Sequence, residues 1–79
     1  MTGTDEPLIR CFRATFPELP VEQLPDASAA TVEDWDSLHT LILIAVLEET
    51  FGLRIPPDDY PALRSYASVR DYLVAAQVL

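Results

Sequence analysis

Between Asp36 and Gly52 the chain passes through Leu38, Leu41, Ile42, Leu43, Ile44, Ala45, Val46, Leu47 and Phe51 with few polar interruptions. No other stretch limits the fold as strongly. An aspartate before the run can cap a helix by accepting free first-turn N–H groups, and a glycine after it can take the left-handed conformation that closes one. The run therefore predicts a helix over Ser37 to Phe51. Its apolar residues go almost all the way round, so the helix is either central to the core or carries a second surface that meets something else. On a 3.6-residue repeat, Leu41, Ile44, Leu47 or Glu48, and Phe51 make one face, expected in the core; Leu38, Ile42, Ala45 and Glu49 make another. The helix dipole and the unpaired amides of the first turn favour an anion at its start, and the residue there is Ser37.

Other segments group around this helix. Leu8, Ile9, Cys11, Phe12 and Phe16 recur at three- and four-residue spacing, which predicts a helix from Pro7 to Phe16 with Pro17 ending it. Residues 1–6 read as a polar lead. Pro17 to Asp36 holds three prolines and scattered acids and reads as a long loop, anchored by Val21, Leu24 and Val32. Pro56, Pro57 and Pro61 leave room for only a short helical turn, from about Asp58 to Leu63. A last helix is expected from a Ser68 cap through Val69 to Ala76, with Val69, Tyr72, Leu73 and Ala76 on one side and a frayed end at residues 77–79. The expectation is an all-α fold, a small four-helix bundle with a long first loop and a short third helix, making a single domain of residues 1–79.

The 13 acidic and 5 basic side chains give a formal charge of −8, and every basic residue is an arginine. Such a chain repels nucleic-acid phosphates and attracts proteins with basic patches. Leu41 to Leu47, the longest apolar run, is too short to span a bilayer. Cys11 is the single cysteine and His39 the single histidine. A disulfide within the chain and a cysteine zinc site are thereby excluded, and the sequence holds no calcium-loop pattern. The single thiol suits a reducing cytoplasm, and Cys11 falls on the apolar side of the first helix, as a buried structural thiol would. Ser37 and His39 stand two apart, so they point to different sides of a helix and cannot form a nucleophile–base pair.

The stretch from Val32 to Ile55, with Asp36-Ser37-Leu38, Leu47-Glu48-Glu49 and Phe51-Gly52-Leu53-Arg54-Ile55, resembles the carrier proteins, which comprise acyl carrier proteins and their peptidyl relatives. The likeness extends over roughly Leu8 to Leu73. It implies a 4′-phosphopantetheine arm on Ser37, flanked by Asp36 and Leu38, that holds acyl groups as thioesters while the protein itself catalyses nothing. It also implies a phosphopantetheinyl transferase and acyl-loading, condensing and tailoring enzymes as partners, for which Leu38, His39, Ile42, Ala45, Glu48 and Glu49 are the candidate docking residues. His39 is expected to face solvent near the arm. Alternatively, Ile42 simply packs against the long loop.

This sequence also departs from the family. Ile42 and Ala45 are apolar where carriers of fatty-acid synthesis commonly have acids, which favours specialised, polyketide-like metabolism; Trp35-Asp36-Ser37-Leu38 resembles the motif of some free-standing carriers, and one modest apolar patch makes a monomer the expectation. The Gly-Gly that often precedes the serine of peptidyl carriers is replaced by Val32-Glu33-Asp34. An aminoacyl or peptidyl carrier is the nearer alternative and an unmodified helical interaction module the more distant one. Trp35 stands where an aliphatic residue is common, and is expected to wedge the loop against the second helix.

Overall fold

The computed structural model describes residues 5–79. Helix α1 spans Glu6–Thr15, α2 spans Ser37–Phe51 and α3 spans Tyr66–Ala75; 3-10 helices occupy Val21–Asp26 and Pro57–Ala62. The fold is all-α, with the short third helix of the expected bundle present as the second 3-10 helix. Of the polar lead expected over residues 1–6, the first four lie outside the described residues, and Glu6 already belongs to α1.

Helix α1 follows from its stripe: Leu8, Cys11, Phe12 and Thr15 are buried, and Pro7 sits in the first turn where its missing N–H is not needed. The Phe16 N–H closes the helix on the Phe12 carbonyl at 2.7 Å before Pro17 ends it. The long loop is more ordered than a proline-rich stretch suggests. Pro20 and Pro25 are compatible with a tight 3-10 turn, whose Leu24 is buried at 2% exposure while Val21, an expected anchor, stays 38% exposed. This turn lies against α1 and α3, and α1 packs along α2.

Helix α2 ends where Gly52 adopts φ 65°, and the N–H groups of Gly52 and Leu53 both reach the Glu48 carbonyl. A side chain at Gly52 would meet nothing within 4 Å, so the requirement for glycine comes from the left-handed backbone alone. The inner face of α2 is Leu43, Ile44 and Leu47, with Phe51 half-buried. Leu41, assigned to the core face by its spacing from Ile44, is 52% exposed. It lies at the edge of the arc: the true stripe runs through Leu43 and Leu47, one turn apart, and Leu41 faces away from both.

The cap of α3 is Ser65, three residues before the expected Ser68. Ser68 N–H donates to Ser65 Oγ at 3.0 Å and Ser65 N–H to Ser68 Oγ at 3.1 Å, a reciprocal capping box. With two serines at that spacing, the earlier one caps and the later one returns the bond. Tyr66, Val69 and Leu73 are buried, whereas Ala76 is exposed. Where a frayed end was expected at residues 77–79, Gln77 takes φ 64°, its N–H reaches the Val74 carbonyl, and the Val78 N–H reaches that of Leu73. This is a Schellman closure built on glutamine instead of glycine, and it lets Val78 and Leu79 pack on the core.

The centre of the molecule is an aromatic group. Phe12 lies 5.1 Å from Tyr66, 5.6 Å from Trp35 and 6.2 Å from Phe16, measured between ring centroids. Because Phe12 is fully buried and joins α1, the loop and α3, Phe12→Ala is expected to lose about 3–5 kcal/mol in urea unfolding. Val74→Ala, at a position 45% exposed on α3, should change stability by no more than about 0.5 kcal/mol in the same measurement.

Candidate functional site

The loop leading to α2 is built from short-range bonds. Ser28 and Thr31 bond to one another through main chain and side chain, the Val32 N–H reaches the Ser28 carbonyl at 2.8 Å, and the Trp35 N–H reaches that of Val32 at 3.0 Å. Trp35 then turns inward, 3% exposed, against Phe12 and Phe16. The side chain was expected to wedge the loop against the second helix; its ring contacts are instead with Phe12 of α1 and Phe16 at the C-terminal end of α1. Burial of Trp35 sets the next two residues at the protein's rim.

Asp36 is extended, at φ −105° and ψ −169°, and caps α2. Its Oδ1 accepts the His39 backbone N–H at 2.9 Å and lies 3.0 Å from His39 Nδ1. Its carbonyl accepts both the Thr40 N–H and the Thr40 hydroxyl, at 2.9 and 2.8 Å. The two bonds from His39, backbone first and ring second, hold the Asp36 carboxyl below the usual aspartate range. Ser37 follows as the first residue of the helix, exposed, beside amides that the cap leaves for an incoming anion.

The expected docking residues divide into two groups. Leu38 (63% exposed), Ile42 (40%), Ala45 and Glu49 share the outer face of α2 and are all exposed. Leu41 joins them, standing one turn from both Leu38 and Ala45; that relation was legible in the spacing but was outweighed by the pairing of Leu41 with Ile44. The other two face elsewhere. His39, expected to face solvent, is half-buried, with its ring stacked on Phe16 at 5.6 Å and 21° and its Nδ1 turned to Asp36. Glu48 is also half-buried, and its Oε2 accepts the Ile55 N–H at 2.9 Å, tying the end of α2 to the chain beyond Gly52. Both are short polar links within the fold, a role that helical spacing could not reveal.

Beside Ser37 lies an open pocket of about 500 Å³, lined by Trp35, Asp36, Ser37, Thr40 and Leu41 on one side and by Tyr60, Pro61, Arg64 and Ala29 on the other. Tyr60, Pro61 and Arg64 had no signal in the sequence, since they reach the site only through folding. The second 3-10 helix is held there by the Tyr72 hydroxyl, which donates to Asp59 Oδ2 at 2.7 Å; this bond raises the Tyr72 pKa. A larger hollow of about 780 Å³ is lined by the first loop, including Glu18, Glu22, Asp26, Glu33 and Asp34, and by His39, and Ser37 is not in its lining. Among the described residues no helix is long and apolar enough to cross a membrane.

Fold and site together define a small helical protein that offers one exposed serine at the head of its central helix, between an apolar strip and a pocket. The chain is similar to an acyl carrier protein of Thermosynechococcus vestitus, 37% identical over 54 residues that cover 68% of this chain and 67% of that protein. The chain belongs to the acyl carrier protein family. No family model matches it. No solved structure matches it either.

The Asp36 bonds give a pH dependence with a defined sign. Its folded pKa is depressed, so the stabilisation is complete above the unfolded value of about 3.9 and is lost as pH falls through the lower folded value. Asp36→Ala should therefore lower Tm at neutral pH and lower it less once the wild type has been brought below pH 4. Thermal melts followed by circular dichroism from pH 7 to pH 2 measure this; an equal Tm difference at every pH would contradict it.

Proposed function

We propose that this protein carries acyl groups as thioesters on a 4′-phosphopantetheine arm attached to Ser37 Oγ, and presents them to the enzymes of a polyketide or fatty-acid-like pathway. The observation that carries this reading is the exposed Ser37 at the first position of α2, behind the Asp36 cap, in a chain of the acyl carrier protein family. In loading, a bond forms between Ser37 Oγ and the phosphorus that bears pantetheine. The pyrophosphate link of coenzyme A breaks, adenosine 3′,5′-bisphosphate leaves, and a base of the transferase takes the serine proton.

Several features suit the group. The serine hydroxyl is accessible, the amides at the start of α2 favour a phosphoester there, and the adjacent pocket is lined by an arginine. The bound arm supplies a terminal thiol for thioester formation. The protein's own residues do the positioning: Asp36 caps and aligns the serine, while Leu38, Leu41, Ile42 and Ala45 provide apolar contact for a partner helix or groove. Glu49 provides a carboxylate for partner arginines. The charge of −8 steers basic partner surfaces toward that face. His39 is committed to Asp36 and Phe16, which supports a carrier without catalysis of its own.

Intact-mass measurement tests the attachment. Incubation with coenzyme A and a broad-specificity phosphopantetheinyl transferase is expected to add one phosphopantetheine to the wild type and none to Ser37→Ala; an unchanged folded wild type would overturn the reading. The docking face has its own test in transferase kinetics. Leu38→Ala should reduce kcat/KM about ten-fold or more, as loss of a central apolar contact does. Glu49→Gln should reduce it by less, with an effect that disappears at high ionic strength.

A further inference from the structure

The pocket beside Ser37 contains a cation that the helix start does not use. Arg64 is exposed, lines the pocket together with Ser37, and takes no part in the Asp5–Arg70 ion pair or the Asp36–His39 hydrogen bond found among the described residues. Its backbone is fixed by the Arg64 carbonyl, which accepts the Ala29 N–H at 2.7 Å, so the side chain projects from an anchored position. Trp35 lines the same pocket as a closed wall: at 3% exposure its ring is packed inward and its Nε1 is buried away from the surface.

We infer that Arg64 is a positioning residue for the arm: it pairs with the phosphodiester on Ser37 and holds the first part of the pantetheine chain over this pocket. The inference rests on attachment at Ser37. A phosphodiester there is anionic and is tethered at the pocket's edge, while the nearest charges in sequence, Glu33, Asp34 and Asp36, all repel it. Arg64 is the cation in the lining, and a guanidinium can engage two phosphate oxygens at once. Leu41, Tyr60 and Pro61 offer apolar wall to the dimethyl carbon that follows the phosphate. An exposed ion pair favours the docked arm only about two- to five-fold and weakens with salt. A partner enzyme that offers its own cation to the phosphodiester therefore draws the arm away from Arg64, which links docking to release of the cargo.

The test compares apo and holo protein by nuclear magnetic resonance, with conversion confirmed by intact mass. Loading is expected to shift the Trp35 indole N–H, the Arg64 Nε–H and the amides of Leu41 and Tyr60. Those at Trp35, Leu41 and Tyr60 should shrink in Arg64→Gln and in high salt and return in part in Arg64→Lys. The phosphorus-31 resonance should move between wild type and Arg64→Gln. If the mass increases but shifts stay confined to Ser37 and its sequence neighbours, identically in wild type and Arg64→Gln, the role of Arg64 is overturned while attachment stands. Failure to gain mass at Ser37 overturns both.

Discussion

Burial of Trp35 against Phe12 and Phe16 holds the residue two before Ser37 inside the molecule, and the geometry of the helix start depends on it. A tryptophan that buries about 150–250 Å² gains about 4–6 kcal/mol at roughly 25 cal/mol per Å². The unpaired Nε1 costs about 1–3 kcal/mol. Burial wins by a clear margin, so the side chain stays in although its donor is unsatisfied. Phe16, which contacts Trp35 on one side of the cap, also stacks on His39 beyond it, so the same aromatic group braces both flanks of Asp36 and Ser37.

This bracing leaves α2 with two tasks. Its inner side supplies Leu43, Ile44 and Leu47 to the core, while Leu38, Leu41 and Ile42 remain exposed on the outer side. Three large apolar side chains together on the surface of so small a protein are a liability in isolation, and a formal charge of −8 offsets it by keeping copies apart.

The pocket beside Ser37 depends on a different constraint. The Tyr66 N–H bonds to the Ala27 carbonyl at 2.9 Å and the Ala29 N–H to that of Arg64, fastening the middle of the first loop to the approach of α3. These bonds bring Arg64 and Tyr60 to a helix start far from them in sequence. Fastened at both ends, the loop acts as a strap across the fold, and the second 3-10 helix is in turn held to α3 by Tyr72 and Asp59.

The sequence by itself determined what local chemistry can decide. Asp36 and Gly52 bound α2 because a carboxylate cap and a left-handed glycine act within a turn of their own position. The α1 stripe was legible because its apolar spacing is regular and prolines mark its ends, and the exposed serine followed from its place at the first position of a capped helix. Tertiary structure decided whatever depends on what a face meets. Leu41 points outward because α1 covers a neighbouring arc of α2. His39 and Glu48 were drawn into internal bonds by Phe16 and by the Ile55 N–H, and Gln77 took a left-handed turn so that Val78 and Leu79 could reach the core. The meeting of Arg64, Tyr60 and Trp35 at Ser37 is of the same kind: contacts between distant segments leave no periodic signal, since their free energy arises only once the chain has closed.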